Sequence, residues 1–471
     1  MFTHHLGRAL AIASALLLSA CKSFSPDGGM STVAAVTGEG LNKSVVRISS
    51  PEIASLAKGK VARLLHAPLS ADAAVQIALL NNPGLQAAYN RLGVAEAIMV
   101  QTSRPSLPSF AFSRVSTSIE LDVERQIVAS ILSLATWPAR SKLAGMRFEQ
   151  AELRAAEETL RLAAETRRAY IRAVAGRQIL IALGAAMASA ASSASLSESL
   201  TQTGAVSKLD HARRQVFATE MEAQVTAARQ QEAAAEERLS RLLGLGGTGL
   251  AGVLPNALPA LPGHARGLGA VEREAMDRRV DLAVARLEAE ALARSFGLTR
   301  KTRFINVLDA AGISKTQKDK GESSADGGGF GIAFEVPLYD FGRSRVREAE
   351  QRYLEAVNAL AEKAVNARSE AREAFGAYKA TYAIAAQYER EVLPLRDTIS
   401  AETELQFNAM QIDAFALLDA ARAKAQAQVA SVEAKRNFWL AATNLSVAVL
   451  GGGGLGGSPI ISADASGTAD N

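Results

Sequence analysis

Two stretches of this 471-residue chain read as single helices of about 65 residues, and they constrain the fold more than any other feature. Residues 140–203 and 343–407 interleave charged residues with alanine at helical spacing. A helix of that size is about 100 Å long at about 1.5 Å per residue. It is too long for one compact core and must lie beside neighbours as an extended coiled assembly. Pro394, inside the second stretch, predicts a kink or short break there.

The long helices belong to a plan that occurs twice. The first half reads as a helix over 70–102, with Ser70 as N-cap and Asp72 near the positive end. A breaker-rich, strand-like stretch over 103–139 follows, then helix 140–203, a turn at Gly204 and helix 207–243. The second half reads as helix 270–300, a strand-like stretch to Gly342, helix 343–407, a turn and helix 413–449. Matching landmarks lie about 200 positions apart, such as Arg140 with Arg343. Two halves, 70–243 and 270–450, joined by a Gly/Pro-rich linker over 244–269, constitute an internal duplication. Residues 21–69 read as an extended N-terminal segment and 451–471 as a Gly-rich tail.

Composition narrows the function classes. Net charge is +4, and the Lys and Arg are spread among Asp and Glu, so no nucleic-acid-binding patch is expected. A single cysteine excludes a disulfide scaffold and a Cys-based zinc cage. Beyond residue 20 the histidines are His66, His211 and His264, far apart and without nucleophile or carboxylate spacing. The glycine-rich stretches lack the Lys-Ser/Thr of a phosphate loop. No catalytic residue and no cofactor is expected, and His211 reads as a polar surface residue.

The N-terminus reads as a targeting segment over 1–20. Arg8 precedes an apolar run from Ala9 to Leu18, too short to span a bilayer as a mature helix. Leu18-Ser19-Ala20-Cys21 resembles the lipobox of bacterial lipoproteins, which implies lipidation of Cys21 and removal of what precedes it. The alternative is an ordinary signal peptide with an unrelated cysteine. Lys22 follows instead of an aspartate, which favours the outer membrane. The longest uncharged helical run, 178–197, turns from Ile and Leu to Ala and Ser, so no conventional transmembrane helix is expected. Any membrane crossing then falls to strands.

The strand-like stretches carry the pattern for it. Phe330, Ile332, Phe334, Val336 and Leu338 alternate with small or polar residues, giving one apolar face. Residues 313–328 before them read as an exposed polar loop, and 304–311 as the preceding strand. The first half offers strands at 107–114 and 127–134. Trp137, Tyr339 and Phe341 stand where strands hand over to the long helices, as interfacial aromatics do. An ordinary half-buried hairpin in a soluble domain carries the same alternation. Four strands cannot close a membrane barrel, whose smallest form has about eight, so strands that span a bilayer must be pooled from several chains, and three copies give about twelve.

In this order and spacing the chain resembles the outer-membrane efflux proteins, the TolC family. The resemblance is carried by residues 71–85, ADAAVQIALLNNPGL, like the family's opening helix, and by 336–343, VPLYDFGR, like its strand-to-helix exit. Residues 203–210, TGAVSKLD, and 410–420, MQIDAFALLDA, are similar to its two helical tips. It implies a mainly α protomer with four strands, contributing to a homotrimeric twelve-stranded β-barrel continuous with an α-helical barrel. It implies an export duct served by a periplasmic adaptor (membrane fusion) protein and a proton-driven inner-membrane pump. Gly204, Ala205, Val206, Ser207, Met410, Gln411 and Ile412 then meet the adaptor, and Asp419, with Asp413 as a second candidate, lines the tunnel aperture. Phe330, Ile332, Phe334, Val336 and Leu338 face outer-membrane lipid.

The chain departs from the family pattern in places. Met410 stands where the second tip usually has glycine, Phe341 replaces a small residue, and Ala416 takes a position that is acidic in some relatives. The first hairpin ends ATWPAR over 135–140 in place of a second Pro-Leu-Tyr-Asp. The competing reading, of a different class, is a periplasmic coiled-coil lipoprotein that scaffolds the envelope without a pore.

Overall fold

The computed structural model describes residues 23–246, 250, 252–264, 271–319 and 323–451. Cys21 and the targeting segment, residues 247–249, 251 and 265–269 of the linker, and the tail beyond Gly451 lie outside the described residues. The N-terminal segment, expected to be extended, contains two helices, α1 (Met30–Leu41) and α2 (Pro51–Leu65). Ser50, in extended conformation, accepts from the Ile53 amide, Pro51 takes the first helical position and Glu52 follows at the positive end.

The two expected opening helices are each broken in two. The first is α3 (Ala71–Asn81) and α4 (Pro83–Thr102). Pro83 excludes Asn82 from the helical region, and its ψ is 119°. The freed Asn82 side chain accepts from the Leu85 amide at 3.0 Å and donates to the Leu242 carbonyl at 2.9 Å. Asn81 adds donation to the Leu243 and Gly244 carbonyls, each at 2.9 Å. These are the orphan carbonyls at the end of α6 (Lys208–Leu243). The second opening helix breaks at Arg279 into α7 (Val271–Arg278) and α8 (Val280–Lys301). Arg279 reaches the Ala448 carbonyl at 3.4 Å and Glu370 at 2.7 Å. Leu242 and Ala448 both lie in the last turns of their helices, α6 and α11 (Ala414–Leu450). Both halves thus cap their last helix from the break in their first.

The long helices are α5 (Ile131–Gln202) and α9 (Arg343–Gln387), the latter continued by a π-helical turn at Tyr388–Val392 and by α10 (Leu393–Asn408). The π turn sits immediately before Pro394, widening the backbone where the proline has no amide and its ring meets the preceding carbonyls. At 72 residues, α5 begins nine residues earlier than expected, and Pro138, within the stretch read as strand-like, lies inside it. One stretch of α5 is long and apolar enough to cross a membrane by composition alone. Within it Leu183 packs with Val225 and Ala228 of α6, flanked by Val429 of α11, in helix-to-helix contact.

Two compact units are formed, and neither is a sequence half. One takes residues 89–155 and 281–363 with the first described residues; the other takes 33–88, 156–280 and 364–451. In the second unit alanines line the helix contacts, among them Ala367, Ala371, Ala374 and Ala385, around an aromatic group of Phe375, Tyr378 and Phe438. Tyr378 and Phe438 lie 5.4 Å apart. The first unit holds one antiparallel sheet in the order β1 (Ser109–Ser116), β2 (Glu120–Ser130), β3 (Val307–Asp319), β4 (Ala325–Glu335).

The strand bounds correct the sequence reading. The second strand is 120–130, not 127–134, and residues 131–134 already belong to α5. Much of the expected loop 313–328 is strand: β3 runs to Asp319 and β4 begins at Ala325. Val336 and Leu338 lie beyond the end of β4, so only Phe330, Ile332 and Phe334 of the expected apolar row are on a strand. Ladder pairing across four strands overrides the low strand propensity of the Gly/Ser/Lys stretch.

Candidate functional site

Register decides what each face of the sheet carries, because directly paired residues share a face. Phe110 pairs with Ile127, Ile127 with Gly312, and Gly312 with Phe330, giving one row on one face. Phe112, Leu121, Val123, Leu308, Ile332 and Phe334 follow on that face at two-residue spacing. It is largely apolar yet uncovered in the protomer: Phe330 is 87% and Phe334 70% exposed. Arg125 interrupts it, and Arg114, Lys318 and Asp326 stand nearer the strand turns.

The opposite face carries Glu120, Asp122, Glu124, Asp309, Asp319 and Glu335 among small residues and the aliphatics Val115, Val128, Val307 and Ile313, with Lys315 as its only cation. Lys315 pairs with Asp122 at 3.0 Å. Sequence reasoning missed this face, because its acids lie on β2, β3 and β4 and only the ladder brings them together.

At the far end of the long helices the two expected tips are built alike. In the first, the Gly204 amide donates to Thr201 and the Ala205 amide to Leu200 at 2.9 Å, with Gly204 at φ +76°. In the second, the Met410 amide donates to Phe407 and the Gln411 amide to Gln406 at 2.9 Å, with Met410 at φ +57°. Both are Schellman ends. Each tip then reaches an N-cap three residues after its left-handed residue. Ser207 accepts from the Asp210 amide at 3.1 Å, and Asp413 from the Ala416 amide at 3.0 Å. Ala205 and Gln411 are exposed, Val206 and Ile412 half-buried, and Met410 is 93% exposed.

Asp419 lies on exposed surface six residues after Asp413 and lines a cavity of about 280 Å³ with Phe415, Arg213 and Arg422. Arg213 stands over the Phe415 ring at 5.2 Å and Arg422 over the Phe217 ring at 5.3 Å. Arg422 also pairs with Glu220, so α6 and α11 are tied just behind the tips. No local signal reveals these contacts, since their members are some 200 positions apart. His211, expected on the surface, is half-buried with its Nδ1 2.9 Å from the Ser197 hydroxyl.

The strand-to-helix exit is a tight construction. The Asp340 carboxylate accepts from the Gly342 amide at 2.8 Å and the Ser344 amide at 3.0 Å, and from the Ser344 hydroxyl. These bonds, the Ser344 hydroxyl first, hold its pKa down to about 2. Phe341 adopts φ +51° and Gly342 φ +71°. A Cβ on Gly342 would run into the Arg303 carbonyl, which explains the glycine. Of the expected interfacial aromatics, Tyr339 is fully exposed and Phe341 half-exposed, while Trp137 donates to the Ser103 carbonyl at 2.7 Å. Among the described residues no group of three His, Cys, Asp or Glu side chains is placed to hold a metal.

No protein-family model matches the sequence, and no curated protein does. Solved structures do match. CusC, described as forming a transmembrane channel, aligns with TM-score 0.68 and 17% identity over 84% of this chain and 92% of its own. The CmeC outer-membrane channel of Campylobacter jejuni aligns with TM-score 0.67 and 17% identity, over 83% and 86%. The outer-membrane protein VceC of Vibrio cholerae gives 0.65 and 20%, over 83% and 97%. With two long helices, a four-stranded antiparallel sheet and paired helical tips, the chain has the protomer fold of the TolC-family outer-membrane efflux channels.

Proposed function

We propose that three copies of this chain form an export duct through the outer membrane, part of a tripartite efflux system. One observation carries the reading. The sheet has an apolar, uncovered face, an acidic opposite face, and outer strands β1 and β4 with no further strand beyond them among the described residues. An open sheet of this kind leaves edge amides and carbonyls unpaired and apolar rings in water. Three such sheets, pooled, make about twelve strands, enough to close a barrel with the apolar rows against lipid and the acids around the lumen. The channels with the same fold are described as outer-membrane or transmembrane, which supports the same location here.

In this reading the tips at 204–207 and 410–412 dock an adaptor, and a proton-driven inner-membrane pump supplies the energy. Asp413 and Asp419, repeated threefold, ring the tunnel mouth. Cys21 carries the lipid anchor, and the strands supply a second membrane contact. The duct itself is passive and performs no catalysis.

Imaging the detergent-extracted mature protein, together with conductance across a planar bilayer, tests the reading. A threefold hollow particle with steady ion conductance is expected. A solid, non-conducting rod of one or two chains would overturn the duct and leave a scaffold.

A further inference from the structure

The basic cluster at the helix end of β3 and β4 has no place in conduction, and its surroundings name a ligand. Val307 pairs with Glu335, so the approach to β3 and the exit from β4 emerge at the same end of the sheet. Arg303 lies before β3 and Arg343 begins α9; Gly342 against the Arg303 carbonyl, and Arg345 donating to that carbonyl at 3.2 Å, hold the two segments together. Arg303, Arg343 and Arg347 line a cleft of about 350 Å³. Among the described residues none of these three makes an ion pair, and Glu350 is the one carboxylate in the lining. Nearby acids are committed elsewhere: Asp340 to the start of α9 and Glu348 to Arg352 at 2.7 Å. Exposed aromatics adjoin the lining residues: Phe304 lies under the Arg303 guanidinium at 4.2 Å, and Tyr339 and Phe341 stand in the turn that leads into Arg343. The corresponding arginine of the first half is not free in this way. Arg140 donates to the Ser133 carbonyl at 2.8 Å and to its hydroxyl.

We propose that Arg303, Arg343 and Arg347 bind the phosphate of an anionic phospholipid headgroup in the membrane leaflet facing the periplasm. Three guanidinium groups around one cleft match a phosphate in charge and in forked donor geometry. Exposed aromatics beside these arginines match the boundary between headgroups and acyl chains. A soluble anion has no use for them, and two of the three follow the apolar row of β4 along the chain. The proposal rests on the duct reading, which places this end of the sheet at the periplasmic membrane surface.

Native mass spectrometry of the full chain, extracted in detergent and exposed to phosphatidylglycerol or phosphatidylcholine, tests it. Phosphatidylglycerol should be retained at least about tenfold more, and retention should fall as salt is raised. R303Q/R343Q/R347Q should remove the preference at unchanged helicity and oligomeric state. Arg347→Gln alone, an exposed change within α9, should weaken it about fivefold and guards against misfolding of the triple variant. Equal retention of both lipids, undiminished retention by the variants, or complete displacement by millimolar inorganic phosphate would overturn the proposal. Vesicle flotation separates the two readings. A chain that floats but shows no lipid preference removes only this site, and one that does not float removes the membrane reading with it.

Discussion

Gly204 and Met410 make the same turn 206 positions apart, each in left-handed conformation and each closing a Schellman end with matching hydrogen bonds. A methionine at φ +57° is held there because the helices on either side, α10 and α11, continue the duplicated plan. The left-handed conformation costs a side-chain-bearing residue about 1–2 kcal/mol relative to glycine.

Met410→Gly is therefore expected to leave stability unchanged or raise it by up to about 1 kcal/mol. Gly204→Val should lower it by about 1–2 kcal/mol, and should abolish export while the trimer persists. Thermal unfolding reads the first effect and a cellular efflux assay the second. Normal export by G204V would remove the adaptor assignment at this tip.

Capping within each repeat is testable at Asn82. Its amide serves the Leu85 amide and the Leu242 carbonyl together. Asn82→Ala should cost about 1–3 kcal/mol in denaturant unfolding, more than a single cap, because two helix ends lose a partner. Arg279→Met strands the half-buried Glu370 carboxylate and should cost about 2–4 kcal/mol.

The two sheet faces should respond oppositely to charge. Phe334→Arg places a cation on the apolar face and should cost about 2–4 kcal/mol in bilayer assembly. Ala333→Arg, one residue away on the other face, should assemble normally. Equal effects in a folding assay with outer-membrane lipid would mean that the faces are not divided between lipid and lumen.

The acidic face predicts cation selectivity. Six carboxylates and one ammonium on this face of each sheet concentrate cations along a narrow water-filled lumen. Reversal potentials under a salt gradient should favour potassium over chloride, and D122N/E124Q should shift them toward zero.

Asp340 sets a pH dependence. Its folded pKa of about 2 lies below the ordinary carboxylate value of 3.8. Its contribution is therefore complete above about pH 4 and is lost as pH falls toward 2. Asp340→Asn should lower the melting temperature at pH 6 and lose that difference near pH 2. A constant difference across the range would show that the carboxylate charge is not what holds the α9 start.

The sequence by itself determined the long helices and the turns between them, because these rest on contacts within a few residues. Helical periodicity, the Ser70 cap, Gly204 and Pro394 are each legible in a short window. The alternation of Phe330, Ile332 and Phe334 marked an apolar strand for the same reason. Tertiary structure decided the rest. Strand bounds and the division of the faces depend on pairing between β2 and β3, almost 200 residues apart, and register there is set by the ladder as a whole. The breaks at Asn82 and Arg279 are held by carbonyls of helices that end more than 150 residues later. The Arg303–Arg343 cleft exists only because a glycine lets one backbone pass against another. Local free energy writes the helix and turn signals into short windows, whereas register and packing are cooperative properties of distant segments.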